Sequence, residues 1–264
     1  MDITSMFNLT GKTVVITGGA GHLGRGMSEA LAAFHADLFI LGKNEDKCQK
    51  YAKQLKAKYG LRFCEGISFD LDIEASIEIA LDRIFSQTNR IDVLINNAAY
   101  SGLGEIENLS NEDWMHGMNG TINGVFRVTK YALRYMLKAG QGNIINIGSM
   151  YGIVSPDMGI YGNSQQNNPS FYGAGKAAII QFTRYLACVY GKRGIRANAI
   201  SPGPFPNKEV QENKEFIERL KSKTPMHRIG QPVDLQGIIV YLSSDASAYM
   251  TGQNISVDGG WTAW

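Results

Sequence analysis

The chain has 264 residues, of which 26 are Lys or Arg and 24 are Asp or Glu, so its formal net charge is +2. A balance this close to neutral lacks the basic signature of a nucleic-acid-binding protein, which excludes that class of partner. Its three cysteines are far apart and form no CxxC pair, which excludes a disulfide-rich secreted module and a zinc site built on cysteine pairs.

The predicted elements alternate between strands and helices along the chain. Short β-branched or apolar runs predict strands, and apolar residues at helical spacing predict the helices between them. In chain order these are strand 13–17, helix 24–34, strand 38–41, helix 45–59, strand 62–69, helix 73–86, strand 92–95, helix 111–137, strand 143–147, helix 172–190, strand 195–200, helices 209–221 and 232–243, and strand 253–257. This alternation is typical of βαβ units.

No repeat, low-complexity tract or linker divides the chain. We therefore expect one Rossmann-like α/β domain over residues 1–264, with a doubly wound parallel sheet of about seven strands and helices on both faces. The first residues have no basic start followed by an apolar run, and no stretch reaches ~20 apolar residues. These features predict a cytoplasmic protein that does not enter a membrane.

Glycines follow the first predicted strand, in the segment TGGAGHLG at residues 17–24. Gly19, Gly21 and Gly24 satisfy the pattern GxGxxG between a strand and a helix, which is the context that this motif requires. Glycines let the backbone N–H groups at the helix start approach a pyrophosphate, so the motif predicts a dinucleotide site. The alternative is a tight turn that uses glycine only for its positive φ.

The end of the second predicted strand bears on the choice of dinucleotide. An acidic residue there would bind the ribose 2′-OH of NAD, but the sequence reads Gly42-Lys43-Asn44. The missing carboxylate and the charge of Lys43 favour NADP over NAD. The alternative is that Lys43 belongs to the solvated, lysine-rich face of the next helix.

Five motifs stand in order along the chain: TGGAGHLG, NNAA at 96–99, Ser149, the pair Tyr172 and Lys176 in YxxxK, and SPGP at 201–204. Together with the ending GQNISVDGGW they resemble the compact, single-domain branch of the short-chain dehydrogenase/reductase family. The resemblance implies a seven-stranded parallel sheet, a nicotinamide cofactor, and dimers or tetramers of the chain.

The resemblance also implies roles for individual residues. Ser149, Tyr172 and Lys176 would be catalytic, and Tyr172 and Lys176 would also contact the cofactor. The remaining cofactor contacts would come from the glycine loop, from the ends of the third, fourth and sixth strands, and from Lys43; by residue they are Gly18, Ala20, Gly21, His22, Leu23, Gly24, Lys43, Asp70, Leu71, Asn97, Ala98, Pro202, Gly203 and Phe205.

These residue types suit the transfer of a hydride between an alcohol and a nicotinamide. Moving a hydride between an alcohol and a nicotinamide requires a proton at the alcohol oxygen, which Tyr172 can exchange. A free Tyr has a pKa near 10, so its action near pH 7 needs a pKa lower by about 3 units. Lys176 lies four residues further on, on the same helix face, where its ammonium would stabilise the phenolate.

The sequence departs from the family pattern at several positions. His22 stands where a glycine is usual, and Thr121 stands where the family has a fourth catalytic residue, an Asn. Ser149 and Tyr172 are 23 positions apart, which is longer than is usual. Tyr161 lies at the ordinary distance, but Gln165 occupies the place of the lysine, so Tyr161 is not the catalytic tyrosine.

The longer spacing adds a segment, SPDMGIYGNSQQNNPSF, which is rich in Asn, Gln and Ser. Such side chains would suit a polyhydroxylated substrate; the alternative is an exposed polar loop. We therefore expect an NAD(P)-dependent oxidoreductase that interconverts a secondary alcohol and a ketone on a sugar, a sugar acid or another polyhydroxylated small molecule. The alternatives are a 3-oxoacyl-thioester reductase and a catalytically inactive dinucleotide-binding sensor or scaffold. The histidines have no partner at metal-ligand spacing, so no metal is expected.

Overall fold

A parallel β-sheet organises the chain in the computed structural model, which describes residues 2–100, 102, 104–162, 164 and 167–264. Within these residues the sheet has seven strands in the order β3-β2-β1-β4-β5-β6-β7. The strands are β1 (Thr13–Thr17), β2 (Asp37–Gly42), β3 (Cys64–Ser68), β4 (Val93–Asn96), β5 (Gly142–Ile147), β6 (Ile195–Pro202) and β7 (Asn254–Val257). The predicted fold class is confirmed.

Helices cover both faces of the sheet. They are α1 (His22–Ala33), α2 (Glu45–Tyr59), α3 (Glu74–Thr88), α4 (Asn111–Met118), α5 (Gly124–Ala139), α6 (Ser170–Tyr190), α7 (Lys214–Ser222) and α8 (Gln236–Ser243). Val14 and Ile16 of β1 pack with α1, α2 and α8, whereas Val15 packs with α3, α5 and α6. Both sets are buried because side chains alternate between the faces of a strand, which is why β1 is apolar throughout.

The order of the strands reverses at β1, which has β2 on one side and β4 on the other. In doubly wound sheets, crossover connections leave on opposite faces at such a point, so a crevice opens beyond the carboxyl ends of the two strands. The glycine loop follows β1 and Asn97 follows β4. The topology therefore brings two of the sequence motifs to one crevice.

Two predicted helices are interrupted. Residues 111–137 were expected as one helix, but a π-helical segment, Asn119–Asn123, separates α4 from α5. The hydroxyl of Thr121 in this segment donates to the carbonyl of Gly117 at 2.9 Å. The helix expected at 209–221 begins only at Lys214, because the Asn213 side chain accepts the N–H of Phe216 at 3.1 Å and caps it.

The extra segment between Ser149 and Tyr172 is not simply an exposed loop. Ile160 and Tyr161 are buried, and they pack with Phe216 and Leu220 of α7 in a small apolar cluster of their own. The described part of the segment thus lies at the carboxyl edge of the sheet, beside Ser149. Among the described residues, no helix has the length and apolar character needed to cross a membrane.

Candidate active site

The glycine loop is too tightly folded for larger side chains. A Cβ on Gly24 would lie 2.1 Å from the Gly18 carbonyl oxygen, and one on Gly19 would lie 2.7 Å from the Ile16 side chain. Gly18 itself has a φ of +65°. Gly21 precedes α1 without a side-chain cap, so the N–H groups of the first turn face outward as donors for an anion. The loop therefore fits the pyrophosphate of a dinucleotide.

A cleft of about 480 Å³ extends from this loop along the carboxyl ends of the strands. It contains most of the residues expected to contact a cofactor: Gly18, Gly21, His22, Leu23, Lys43, Leu71, Asn97, Ala98, Tyr172, Lys176, Pro202, Gly203 and Phe205. The structure thus brings together residues from distant parts of the sequence. The sequence reasoning missed other lining residues, among them Phe69, Tyr100 and Ile147.

Three of the expected residues do not line this cleft. Gly24 lies behind the loop, against Gly18. Ala20 is buried and contributes to a neighbouring cleft. Asp70 lies at the rim, where its carboxylate accepts the N–H of Asp72 at 2.9 Å and pairs with Lys43.

Lys43 occupies an acidic corner of the cleft. Its ammonium lies 3.2 Å from an Asp70 oxygen and 3.7 Å from an Asp72 oxygen. Asp72 also pairs with Arg127 at 3.3 Å and accepts the hydroxyl of Tyr100 at 2.6 Å. A ligand phosphate at this corner would therefore compete with two carboxylates for Lys43.

Asn97 fixes the end of β4 against the glycine loop. Its side-chain amide donates to the carbonyls of Thr17 and Gly18, at 2.9 and 3.1 Å. The Thr17 hydroxyl in turn accepts the backbone N–H groups of Asn97 and Ala98, at 3.0 and 2.9 Å. These bonds hold the two walls of the crevice at a fixed separation.

Ser149, Tyr172 and Lys176 meet at the inner end of the cleft. Ser149 follows β5, and its hydroxyl bonds to the phenol of Tyr172 on α6. Lys176 donates to the Ile147 carbonyl at 2.8 Å, and its Nζ lies 5.7 Å from the centre of the Tyr172 ring. Burial removes water from both groups and so disfavours their charged forms. It raises the pKa of Tyr172, although the hydrogen bond from Ser149 acts in the opposite direction, and it lowers the pKa of Lys176 to about 8. Burial within the protein thus works against the low pKa that was expected for Tyr172.

The environment of Thr121 also differs from the expected one. It is only 1% exposed, its hydroxyl is bonded to Gly117, and it does not line either of the two cavities that meet at Tyr172 within the described residues. It packs instead against Gly175, where an added Cβ would lie 2.1 Å from its Oγ1. The Thr121 hydroxyl is thus bonded to the helix backbone, and a catalytic role for this residue stays a prediction.

A second cavity of about 540 Å³ adjoins the cleft and shares Ser149, Tyr172, Gly203 and Phe205 with it. Tyr161, Asn167 and Asn168 of the extra segment line it, as do Tyr151, Phe216 and Leu220. The Tyr161 hydroxyl donates to that of Tyr151 at 3.0 Å. Gln165 lies outside the described residues, as do Asn163 and Gln166. The only sequence signal for Phe216 and Leu220 was their helical spacing.

Comparison with known proteins identifies the class. A family model described as "Enoyl-(Acyl carrier protein) reductase" matches residues 18–262. The 3-oxoacyl-[acyl-carrier-protein] reductase FabG of Aquifex aeolicus is 31% identical over 96% of this chain and 98% of its own. The 2-dehydro-3-deoxy-D-gluconate 5-dehydrogenase of Bacillus subtilis is 32% identical over 97% of this chain and 96% of its own.

Among solved structures, a gluconate 5-dehydrogenase from Burkholderia cenocepacia J2315 in complex with NADP and tartrate superposes with a TM-score of 0.87, at 29% identity and with 98% of both chains covered. The chain belongs to the short-chain dehydrogenase/reductase family. It is an NAD(P)-dependent oxidoreductase that acts on alcohol and ketone groups.

Proposed function

We propose that residues 1–264 form one NAD(P)-binding domain that interconverts a secondary alcohol and a ketone on a sugar, a sugar acid or another polyhydroxylated small molecule. One observation carries the proposal: Ser149 and Tyr172 line both the cleft beside the glycine loop and the cavity beside the extra segment. A cofactor in the first and a substrate in the second would meet at these two side chains.

The residues divide the chemistry between them. When bound, the oxidised nicotinamide would supply the acceptor for the hydride of the carbinol C–H bond and a positive charge beside Tyr172. Tyr172 takes the proton of the alcohol O–H, so that, together with the hydride of the C–H bond, two electrons and two protons leave the substrate as the C=O bond forms. Ser149 orients the reacting oxygen, and Lys176 supports the phenolate and holds the nicotinamide ribose. Because burial raises the pKa of Tyr172, the positive charge of the oxidised nicotinamide is needed to stabilise the phenolate that takes the proton.

We propose NADP as the preferred cofactor and NAD as the alternative, held by the residues of the glycine loop and the cleft. The absence of a carboxylate directly after β2 and the presence of Lys43 support NADP, as does the NADP complex of the Burkholderia relative. Lys43→Asp should lower the ratio of kcat/KM for NADPH to that for NADH at least tenfold, about 1.4 kcal/mol. An unchanged ratio would exclude Lys43 as the determinant.

The substrate class draws support from two sides. The gluconate and 2-dehydro-3-deoxygluconate relatives are named for sugar acids, and Asn167 and Asn168 bring amides to the second cavity. A second candidate is reduction of a 3-oxoacyl thioester, because the Aquifex relative is named for that activity. Steady-state assays with polyols, aldonates and acetoacetyl thioesters separate the two: turnover of thioesters alone would contradict the first proposal.

We further propose that the chain forms a homodimer or homotetramer and works in the cytoplasm. Phe126 of α5 and Tyr185 of α6 are half exposed, and Phe182 lies between them in edge and stacked contacts at 6.4 and 6.5 Å. This aromatic face would be covered by a second copy. Among the described residues all three cysteines are free thiols, which suits a reducing compartment.

A further inference from the structure

The second cavity has an uncharged lining. Its described lining consists of Gly, Ser, Met, Tyr, Asn, Pro, Phe, Val and Leu residues, with no Lys, Arg, His, Asp or Glu among them. The residues between positions 100 and 167 that lie outside the described ranges are Ser101, Leu103, Asn163, Gln165 and Gln166, and none of these residue types is ionisable at neutral pH. The sequence therefore offers no hidden charge at these positions.

Cations near the cavity are bound to other groups. Arg219 of α7 donates to the carbonyl of Ile160 at 2.7 Å and pairs with Glu215, so it fastens the extra segment from outside. Lys223 pairs with Asp157 at 2.7 Å. Lys208 follows the wall of the cavity in sequence but lines a different cleft. Lys176 faces the cofactor cleft and is bonded to the Ile147 carbonyl.

Neutral hydrogen-bonding groups are present in the lining of the cavity. The Tyr161 hydroxyl donates to the Tyr151 hydroxyl at 3.0 Å and also bonds to the Asn168 side chain. Burial raises the pKa of both tyrosines, so both stay protonated at neutral pH. Phenol and amide groups both donate and accept, which is what hydroxyl groups of a substrate require.

The lining also has an apolar part, with Pro206, Val210, Phe216 and Leu220, and Phe216 packs against the Tyr161 ring at 5.7 Å. Such apolar side chains fit the C–H face of a carbohydrate. A carboxylate or phosphate placed against this lining would find no protein cation to compensate for the hydration that it loses, whereas a hydroxyl group would find donors and acceptors.

We propose that the substrate held in this cavity is a neutral polyol or its ketose, and that Tyr151, Tyr161 and Asn168 select it by hydrogen bonding to hydroxyl groups away from the reacting carbon. The inference rests on the proposed oxidoreductase function and narrows its substrate class. Sugar acids and sugar phosphates would meet no cation among the described lining residues, so we expect them to be poorer substrates than neutral polyols.

The test compares pairs of substrates that differ at one end of the carbon chain, where the polyol has a CH2OH group and its acid has a carboxylate. Galactitol with galactonate, and sorbitol with gluconate, are assayed by cofactor reduction with NADP and NAD. The neutral member of an accepted pair should have a kcat/KM about 100-fold above that of its acid. Equal or greater turnover of the acids would overturn the inference while leaving the oxidoreductase function intact. Turnover of acetoacetyl thioesters and of no polyol or aldonate would overturn the proposed function as well.

Variants of the cavity lining test whether these residues cause the preference for neutral substrates. Val210→Arg should raise the ratio of aldonate to polyol turnover at least tenfold, whereas the matched control Val210→Gln should not. Tyr161→Phe should raise KM for the polyol with little change in kcat, because it removes a binding contact away from the reacting carbon. An unchanged ratio in Val210→Arg, or an unchanged KM in Tyr161→Phe, would contradict the assigned selection.

Discussion

Lys176 gives a prediction that connects burial with stability. Its side chain is buried, with 5% of the residue exposed, and its ammonium donates to the Ile147 carbonyl at 2.8 Å. Burial lowers its pKa to about 8. The fold therefore holds a charge whose hydration has been lost, and Lys176→Met removes that charge while keeping most of the side-chain volume.

The pH dependence follows from the direction of this pKa shift. In the unfolded chain lysine titrates near a pKa of 10.4. Below pH 8 the lysine is charged in both states, so the full cost of burying the charge is present. As pH rises from about 8 towards 10.5, the folded state loses its proton first, and the wild type becomes more stable relative to Lys176→Met. A pKa lowered by about 2.5 units changes the free energy of unfolding by about 3 kcal/mol over the whole titration, and about 2.5 kcal/mol of this change falls between pH 7 and pH 10.

The assay is urea unfolding of the wild type, Lys176→Met and the control Lys53→Met, which removes an exposed lysine, at intervals from pH 7 to pH 10. Near pH 7 the wild type and Lys176→Met should differ little, because Met also leaves the Ile147 carbonyl without its donor, at about 1–3 kcal/mol. The difference should then shift by about 2.5 kcal/mol in favour of the wild type, and the control should follow the wild type. Parallel curves for the wild type and Lys176→Met would refute the reasoning.

Three further predictions test other parts of the structure. Gly175→Ala places a Cβ 2.1 Å from Thr121 Oγ1 and should lower the free energy of unfolding, measured with urea, by about 2–3 kcal/mol. Adding Thr121→Gly removes the clashing side chain and should restore most of this loss; if it does not, the clash lies elsewhere. Gly24→Ala displaces the Gly18 carbonyl and should weaken cofactor binding at least tenfold by calorimetry with the helix content unchanged; unaltered affinity would contradict the role given to the loop. If the proposed homo-oligomer forms, Phe126→Glu should convert it to smaller species in light scattering; an unchanged mass would contradict the proposed interface.

The fold follows closely from local sequence patterns. Strand 13–17 and helix 45–59 were predicted with the bounds that the structure has, because an apolar β-branched run and residues at helical spacing are local signals. The structure adds that Asn44 and Gly60 cap this helix. The interruption at Asn119–Asn123 could not be predicted in this way. It depends on packing, since Thr121 is accommodated only where α6 offers a glycine.

The site was only partly predictable for the same reason. Glycines and the pair Tyr172 and Lys176 are recognisable in sequence, because their chemistry requires those residue types in a fixed order. Residues such as Phe216 reach the second cavity from elements that are distant in the sequence. An apolar residue in a helix gives no local indication that it lines a cavity. Tyr161 was set aside as a catalytic candidate; its place in the second cavity depends on how the extra segment folds back onto α7.

The measurement that tests the central claim most directly is the activity of Tyr172→Phe, paired with its cofactor affinity. The change removes the hydroxyl that exchanges the proton and keeps the ring. With a substrate that the wild type accepts, kcat should fall by about 10²–10⁴-fold, while calorimetry gives the wild-type Kd for NADP. Wild-type turnover by Tyr172→Phe would contradict the account, as would a wild type that binds cofactor and converts none of the polyols, aldonates or thioesters.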